Sequence, residues 1–284
     1  MSELKHRLEY GAIRAVAWLV ARLPLETASN LSGSLWRRIA PRLKRHRRAL
    51  THLAAAFPEK SEAERERIAN DMWEVLGRTF AETFYLPEIF ASGRIDASGL
   101  EELRDHIGKG MVICAAHQGN WEVASMGLVQ IGANPSGLYQ RVKNPFVDVF
   151  LRDMRAPYYP AGLFPKDPST PMKLMRFLKR GGCMAMLADL RDGTGLKVPF
   201  FGRNAPTTPF PAMMARNLGL PIYAGRIVRE PGVRFRLSVT RIEYPVTDDK
   251  EADILAATAS IQAAFEASIR EHPEQWMWAH QRWG

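Results

Sequence analysis

Beyond about residue 110, short apolar runs alternate with helix-period stretches, and this alternation restricts the chain more tightly than any other feature of its sequence. MVICAA precedes a helix from about Trp121, SGLYQ precedes a helix after Pro145, and CMAMLA follows a Gly181-Gly182 turn; LPIYAGRIV and VRFRLSVTRI come next. Runs this short read as strands, and strands alternating with helices predict an α/β fold: a central mixed, mostly parallel sheet flanked by helices. REPG between the last two runs is a turn, so those two strands are expected to pair antiparallel. A final helix is expected from Lys250 to Glu271.

The first ninety residues read as nearly all helix. Pro24 and Pro41 punctuate them, and Ser61 with Glu64 forms a capping box at the start of a long amphipathic segment. Residues 1–60 are therefore assigned to a helical, basic extension and residues 61–284 to the α/β domain, a division that suits a chain of 284 residues. On a helical projection Leu8, Ala12, Ala15, Val16, Leu19 and Leu23 share one face while Arg7 and Arg14 point away. That face either turns to the core or lies in a membrane interface; Trp18 and the basic flanks suit the second reading. Arg14 and Arg22 interrupt the apolar stretch, so it is too short to span a bilayer and is no cleavable signal.

Lysines and arginines number 39 against 30 acidic residues, a net charge of +9, which draws the protein to a polyanionic surface. From Arg37 to Arg48 seven basic residues occur with no acid. Such a tract is a solvated helix face or a contact for anionic lipid. Both cysteines, Cys114 and Cys183, lie in apolar runs and read as buried thiols, consistent with a reducing cytoplasm. The chain has no G-x-S-x-G elbow, no H-E-x-x-H, no P-loop and no paired C-x-x-C, so a serine hydrolase, a zinc protease and an ordinary NTPase lack support, and no metal is required.

The stretch that carries chemistry is MVICAAHQGNWEVAS. An apolar strand runs into His117, and Asn120 is a good N-cap for the helix after it. His117 is thus expected at the C-terminal mouth of the sheet, where open α/β sheets place their ligands. In one continuous helix His117 and Glu122 would be about 140° apart; with His117 on the loop, the Glu122 carboxylate is expected to fold back onto the imidazole. A carboxylate that accepts from one ring nitrogen fixes the tautomer and leaves the other as a base. The bland alternative is a histidine that satisfies loop backbone groups.

HQGNWE resembles the His-x4-Asp/Glu motif of the glycerolipid acyltransferase superfamily, in the branch with Trp before Glu: the lipid A biosynthesis lauroyl/myristoyl acyltransferases. LTHLAAAFPEKSEAERERIA, LYQRVKNP, LADLRDGTGLKVPFFGRNAPTT and PEQWMWAHQRW are similar to further segments of that family, so the resemblance spans about residue 10 to the end. It implies His117 as base, Glu122 as its orienting acid, and Arg155 and Asp189 as further residues of the catalytic site. It also implies Arg141, Asn144, Phe200, Phe201 and Gly202 as substrate-binding positions. Leu190-Arg191 after Asp189 departs from the family's usual pattern. Chemically, Arg155 suits a phosphate or a developing oxyanion, Arg141 a second phosphate, and Asp189 an ion pair with Arg155. The Phe- and Met-rich stretch after Val198 suits either an acyl-chain channel or plain core.

The resemblance further implies direct transfer of an acyl chain from an acyl-carrier-protein thioester to a hydroxyl of a lipid A precursor, at the cytoplasmic face of the inner membrane. No cofactor is expected beyond the acyl-ACP co-substrate, with acyl-CoA as another possible donor. An acyltransferase for another membrane glycolipid, such as a phosphatidylinositol mannoside, or for an aminolipid would share these motifs. A non-catalytic protein that binds membrane through its basic helices, or nucleic acid, is the alternative from another class; nucleic acid is not the expected partner.

Overall fold

The computed structural model describes residues 3–283. Helices α1 (Glu3–Val20), α2 (Leu25–Ile39), α3 (Lys44–Ala56), α4 (Glu62–Glu82) and α5 (Leu86–Ala91) come first. The sheet strands are β1 (Ile95–Gly99), β2 (Met111–Ala115), β3 (Pro135–Tyr139), β4 (Leu163–Pro165), β5 (Cys183–Leu187), β8 (Ile222–Glu230) and β9 (Arg234–Arg241). A separate hairpin is made by β6 (Arg191–Phe200) and β7 (Arg203–Thr207). Helices α6 (Ala124–Gln130), α7 (Pro145–Arg155), α8 (Thr170–Lys179), α9 (Phe210–Leu218) and α10 (Lys250–Glu271) connect or follow them.

The seven strands run in the order β1-β9-β8-β2-β5-β3-β4, with only the β8/β9 pair antiparallel. The sheet is therefore mixed and mostly parallel, as the alternation requires, and the REPG turn joins the antiparallel pair. Side-chain alternation sends Val112, Cys114, Met184 and Met186 into one core, with α3, α4, α9 and α10, and Met111, Ile113 and Cys183 into the other, with α5 and α6. The central strands are buried on both faces, which is why they read as continuous apolar runs. Both cysteines are buried free thiols, and burial pushes Cys183 up to about 12.

Four strands escape the sequence pattern. β1 and β4 are short and half exposed, and β6 with β7 forms a polar two-stranded ribbon. The ribbon turns at Phe201 (φ 51°) and Gly202 (φ 69°), two left-handed residues as a tight two-residue hairpin demands. Phe201 takes that conformation despite its Cβ because its ring is buried against Phe57, Phe200 and Trp278.

In the N-terminal region the capping box at Ser61 forms as expected, with Glu64 N donating to Ser61 Oγ and Ser61 N to Glu64. Helices α2 and α3 pack on α4, and Ala49, Leu53 and Ala56 share a core with Trp73 and Val112. Helix α1 buries no residue. It rests on α7 through Tyr10, which meets Phe146 and Phe150. The opposite face, Leu8, Ala12, Ala15, Val16, Leu19 and Leu23, stays exposed, so the core-facing reading of that stripe does not hold. Helix α2 also exposes apolar side chains, Leu31, Leu35 and Ile39. No helix among the described residues is long and apolar enough to cross a membrane.

Candidate active site

Strand register decides which carboxylate meets His117. β2 and β5 are parallel neighbours with Ala115 opposite Leu187, and Ala188 N donates to Ala115 O. Each strand then runs one alanine further, so His117 and Asp189 emerge side by side. Asp189 Oδ1 lies 2.7 Å from His117 Nδ1, and Oδ2 accepts from His117 N (2.9 Å) and from Trp276 Nε1 (2.7 Å). Burial opposes ionisation of Asp189, but the His117 charge and hydrogen bonds and the Trp276 bond outweigh it and hold the carboxyl below its usual value. An ionised Asp189 only accepts, so Nδ1 carries a hydrogen, and in the neutral ring Nε2 holds the lone pair. Asp189 is 0% exposed and the His117 side chain 16%: the carboxylate is sealed and the ring is open on one side.

The expected His117–Glu122 pair does not form. Glu122 instead takes Arg155 bidentately, from Nε (2.7 Å) and Nη2. A guanidinium fork matches a carboxylate better than one imidazole nitrogen does, and Asp189 has already filled the place on Nδ1. By the same token Asp189 does not pair with Arg155. Burial pulls the Arg155 pKa down, but the Glu122 carboxylate more than compensates and leaves it raised. Trp121 completes the first turn after the loop, its ring edge-on to His117 at 5.1 Å.

The loop itself is clasped from all sides. Gly119 takes φ 60°, and a Cβ there would lie 2.6 Å from Ile227 O, so only glycine fits. Its carbonyl accepts from Thr79 Oγ1, its N donates to Gln275 O, and His117 O accepts from Met277 N. Asn120 caps the following turn by accepting from Glu122 N and donates to the fully buried Glu82, which also holds Ser29 and Arg229.

His117 opens onto a cavity of about 630 Å³. Its floor is the sheet, where Gly137, Ala185, Ala115 and Gly225 give β3, β5, β2 and β8 small side chains that leave the space empty. Leu100, Ile113, Leu128 and Leu237 make an apolar wall, while Glu122, Arg155, Lys166, Arg191 and Arg226 bring charge to the lining. This volume and mixture suit a ligand with a hydrocarbon part and an anionic part. Among the described residues no cluster of His, Cys, Asp and Glu is arranged to hold a metal ion.

The five expected substrate-binding positions lie outside this cavity's lining. Arg141 is exposed and paired with Asp167. Asn144 caps α7, accepting from Phe146 N and Val147 N, and its amide donates to His6 O and Glu9, which ties α1 to α7. Phe200, Phe201 and Gly202 sit at the β6–β7 turn; Phe200 and Phe201 pack with Trp278, Trp276 and Trp283 in the core on the other face of the sheet. Met214 is core and Met213 is partly exposed, so the stretch after Val198 is mostly packing, with only Thr208 reaching the cavity. Sequence reasoning missed Trp276, whose bond to Asp189 crosses 87 positions, and Ser125, Tyr159 and Lys166 in the lining. Trp276 lies within PEQWMWAHQRW, but nothing local in that segment points to Asp189, and no local pattern marks the other three.

An imidazole oriented by a sealed carboxylate, at the mouth of a mostly parallel sheet and beside a part-apolar, part-cationic cavity, is an arrangement able to move a proton at a bound ligand. Comparison with known proteins gives the class of reaction. The model of the family described as bacterial lipid A biosynthesis acyltransferase matches residues 3–284, and the chain belongs to that family. It is 28% identical over 281 residues to the lipid A biosynthesis lauroyltransferase of Escherichia coli (strain K12), covering 94% of this chain and 88% of that one. Identity is 26% over 295 residues to the lipid A biosynthesis myristoyltransferase of the same strain, covering 96% and 87%. To the phosphatidylinositol mannoside acyltransferase of Mycobacterium tuberculosis (strain ATCC 25618 / H37Rv) it is 27% over 232 residues, covering 74% and 68%. The protein is an acyltransferase of glycolipid biosynthesis.

Proposed function

We propose that the protein moves a fatty acyl chain from an acyl-carrier-protein thioester to a hydroxyl of a lipid A precursor, with His117 as general base. The observation that carries this reading is the single open nitrogen of His117: Asp189 holds Nδ1, and the ring lines the cavity. Nε2 takes the proton of the acceptor hydroxyl. Its oxygen attacks the thioester carbonyl, the C–S bond breaks, and the thiolate leaves with the proton that His117 returns. Asp189 orients the ring and stabilises the imidazolium. Glu122 anchors Arg155, whose Nη1 stays available for a phosphate or the oxyanion.

Net positive charge and the cationic lining favour an anionic carrier protein and a phosphorylated acceptor. A coenzyme A thioester offers the same reacting bond and is the other donor to test. The exposed apolar face of α1, with Arg22 stacked 3.7 Å from the Trp18 ring and the basic tract following, suits peripheral docking on an anionic membrane, here assigned to the cytoplasmic face of the inner membrane. The mycobacterial relative's name supports a second acceptor, a phosphatidylinositol mannoside.

The test uses purified protein, labelled lauroyl carrier thioester and a panel of acceptor lipids. Transfer to the lipid A precursor, abolished in His117→Ala, is the expected result. Transfer that persists at full rate in His117→Ala overturns the mechanism, and transfer to the mannoside alone replaces the acceptor.

A further inference from the structure

Thr79 and Glu82 lie one turn apart on α4 and reach two successive residues of the loop after His117. Thr79 Oγ1 donates to Gly119 O (3.1 Å), and Asn120 Nδ2 donates to Glu82 Oε2 (2.8 Å). Glu82 and Asn120 are both 0% exposed, so water does not compete for their bond. A buried carboxylate is costly unless a cation and further donors surround it. Glu82 has both: Ser29 Oγ donates to Oε1 (2.6 Å), and Arg229 Nη2 joins Asn120 on Oε2. A carboxylate paired with a guanidinium only accepts, so it takes the NH2 end of the Asn120 amide. The other end, Oδ1, is left for Glu122 N (3.1 Å), which only donates. The amide therefore has one satisfied orientation. Glu122, placed by that bond, takes Arg155 bidentately. An apolar side chain at position 82 would fill the space without deciding which end of Asn120 faces the turn.

We propose that Glu82 is a positioning residue of the reaction: it fixes the orientation of the Asn120 amide and, through it, the turn that brings Glu122 to Arg155. This rests on the acyl-transfer reading. Glu82 lies outside the lining of the His117 cavity and acts only through Asn120. Its other partners pin it from two sides, Ser29 from α2 and Arg229 from β8, so the helical extension contributes to the geometry of the site. A group held about 1 Å from its proper place loses on the order of a hundredfold in rate, which sets the size of the effect.

Exchanging donor and acceptor tests the pair. Asn120→Asp keeps an oxygen for Glu122 N but sets its second oxygen against Glu82 Oε2, where two acceptors repel. Adding Glu82→Gln restores a donor: the new NH2 bonds the carboxylate now at position 120, Ser29 still donates to the remaining oxygen, and Arg229 turns to the relocated charge. Lauroyl transfer from the carrier thioester is measured per folded molecule, with a melting curve on each sample, for wild type, both single variants and the double variant. Folded Asn120→Asp is expected to lose about a hundredfold, and the double variant to return to within about tenfold of wild type. A contact that serves stability alone predicts the wild-type rate in folded Asn120→Asp. That result, or a double variant no faster than Asn120→Asp, overturns the proposal. Should Asn120→Asp not fold, a double variant that folds and transfers supports the pair, and one that does not fold overturns it. Absence of transfer by wild type counts against the acyl-transfer reading instead. Chemical denaturation of the four proteins then decides: a loss in the double variant smaller than the sum of the single losses supports the pair, and additive losses overturn it.

Discussion

Replacing Asp189 by asparagine separates the carboxylate that orients His117 from the one that does not. Three N–H groups converge on Asp189: His117 Nδ1 on Oδ1, and His117 N with Trp276 Nε1 on Oδ2. An asparagine has one acceptor oxygen and one NH2 to divide between these two positions. If the NH2 faces the Oδ2 side, two buried donors lose their acceptor, at about 1–3 kcal/mol each. If it faces the ring, the imidazole need only move its hydrogen from Nδ1 to Nε2, a much smaller cost. The second arrangement wins, and it leaves Nε2 protonated and unable to accept from an alcohol. Loss of the correct tautomer in a His–Asp pair costs about 10⁴-fold in rate, or roughly 5.5 kcal/mol of barrier. Asp189→Asn is therefore expected to fold, to melt somewhat below the wild-type temperature at neutral pH because the stabilising carboxylate charge is gone, and to lose about three to four orders of magnitude in acyl transfer. The assay is single-turnover transfer of labelled lauroyl from carrier to acceptor, with circular dichroism on the same sample. Activity within tenfold of wild type in folded Asp189→Asn would refute the assignment of Asp189 as the orienting group.

Glu122→Gln should behave differently: it leaves Arg155, only a quarter exposed, without its counter-charge, so a loss of about 2 kcal/mol in stability is expected, less than a fully buried pair, and chemical denaturation measures it. Gly119→Ala puts a Cβ against Ile227 O at a left-handed position and should cost roughly 2 kcal/mol or more and displace the loop; a melting curve and the transfer assay together check this. Asp189 has a folded-state pKa below its unfolded value, so its contribution to stability is present above about pH 4 and fades as pH falls below that. Stability against pH should accordingly decline less steeply in Asp189→Asn than in wild type over the acid range. Leu8→Asp with Leu19→Asp should weaken cosedimentation with anionic vesicles by about tenfold or more and leave the melting temperature unchanged, since both side chains are exposed.

The sheet was legible because its buried strands are written as uninterrupted apolar runs, and β1, β4 and the β6–β7 ribbon were not because half-exposed or polar strands carry no such mark. The site was legible in its parts and not in its pairing. His117 and Asp189 each end an apolar run by way of one alanine, AAH and LAD, and that equal overhang is in principle a register signal. The sequence reading favoured the nearer acid, Glu122, since five residues look closer than 72. Contact through parallel neighbours depends on which strands are adjacent, and adjacency is a tertiary property. The stripe on α1 was correctly placed on one face, but the helix docks by its other face, through Tyr10, so periodicity alone gave the stripe and not its surroundings.

The tail after α10 has a role beyond covering the core. Gln275 and Met277 hold the loop backbone, and Trp276 holds Asp189, so the geometry around His117 depends on residues made after every strand of the sheet. During synthesis, a ribosome-bound chain that has already formed its sheet lacks the indole that steadies Asp189. The geometry around His117 is therefore completed late, once the last strand has been made and the tail has closed over Asp189.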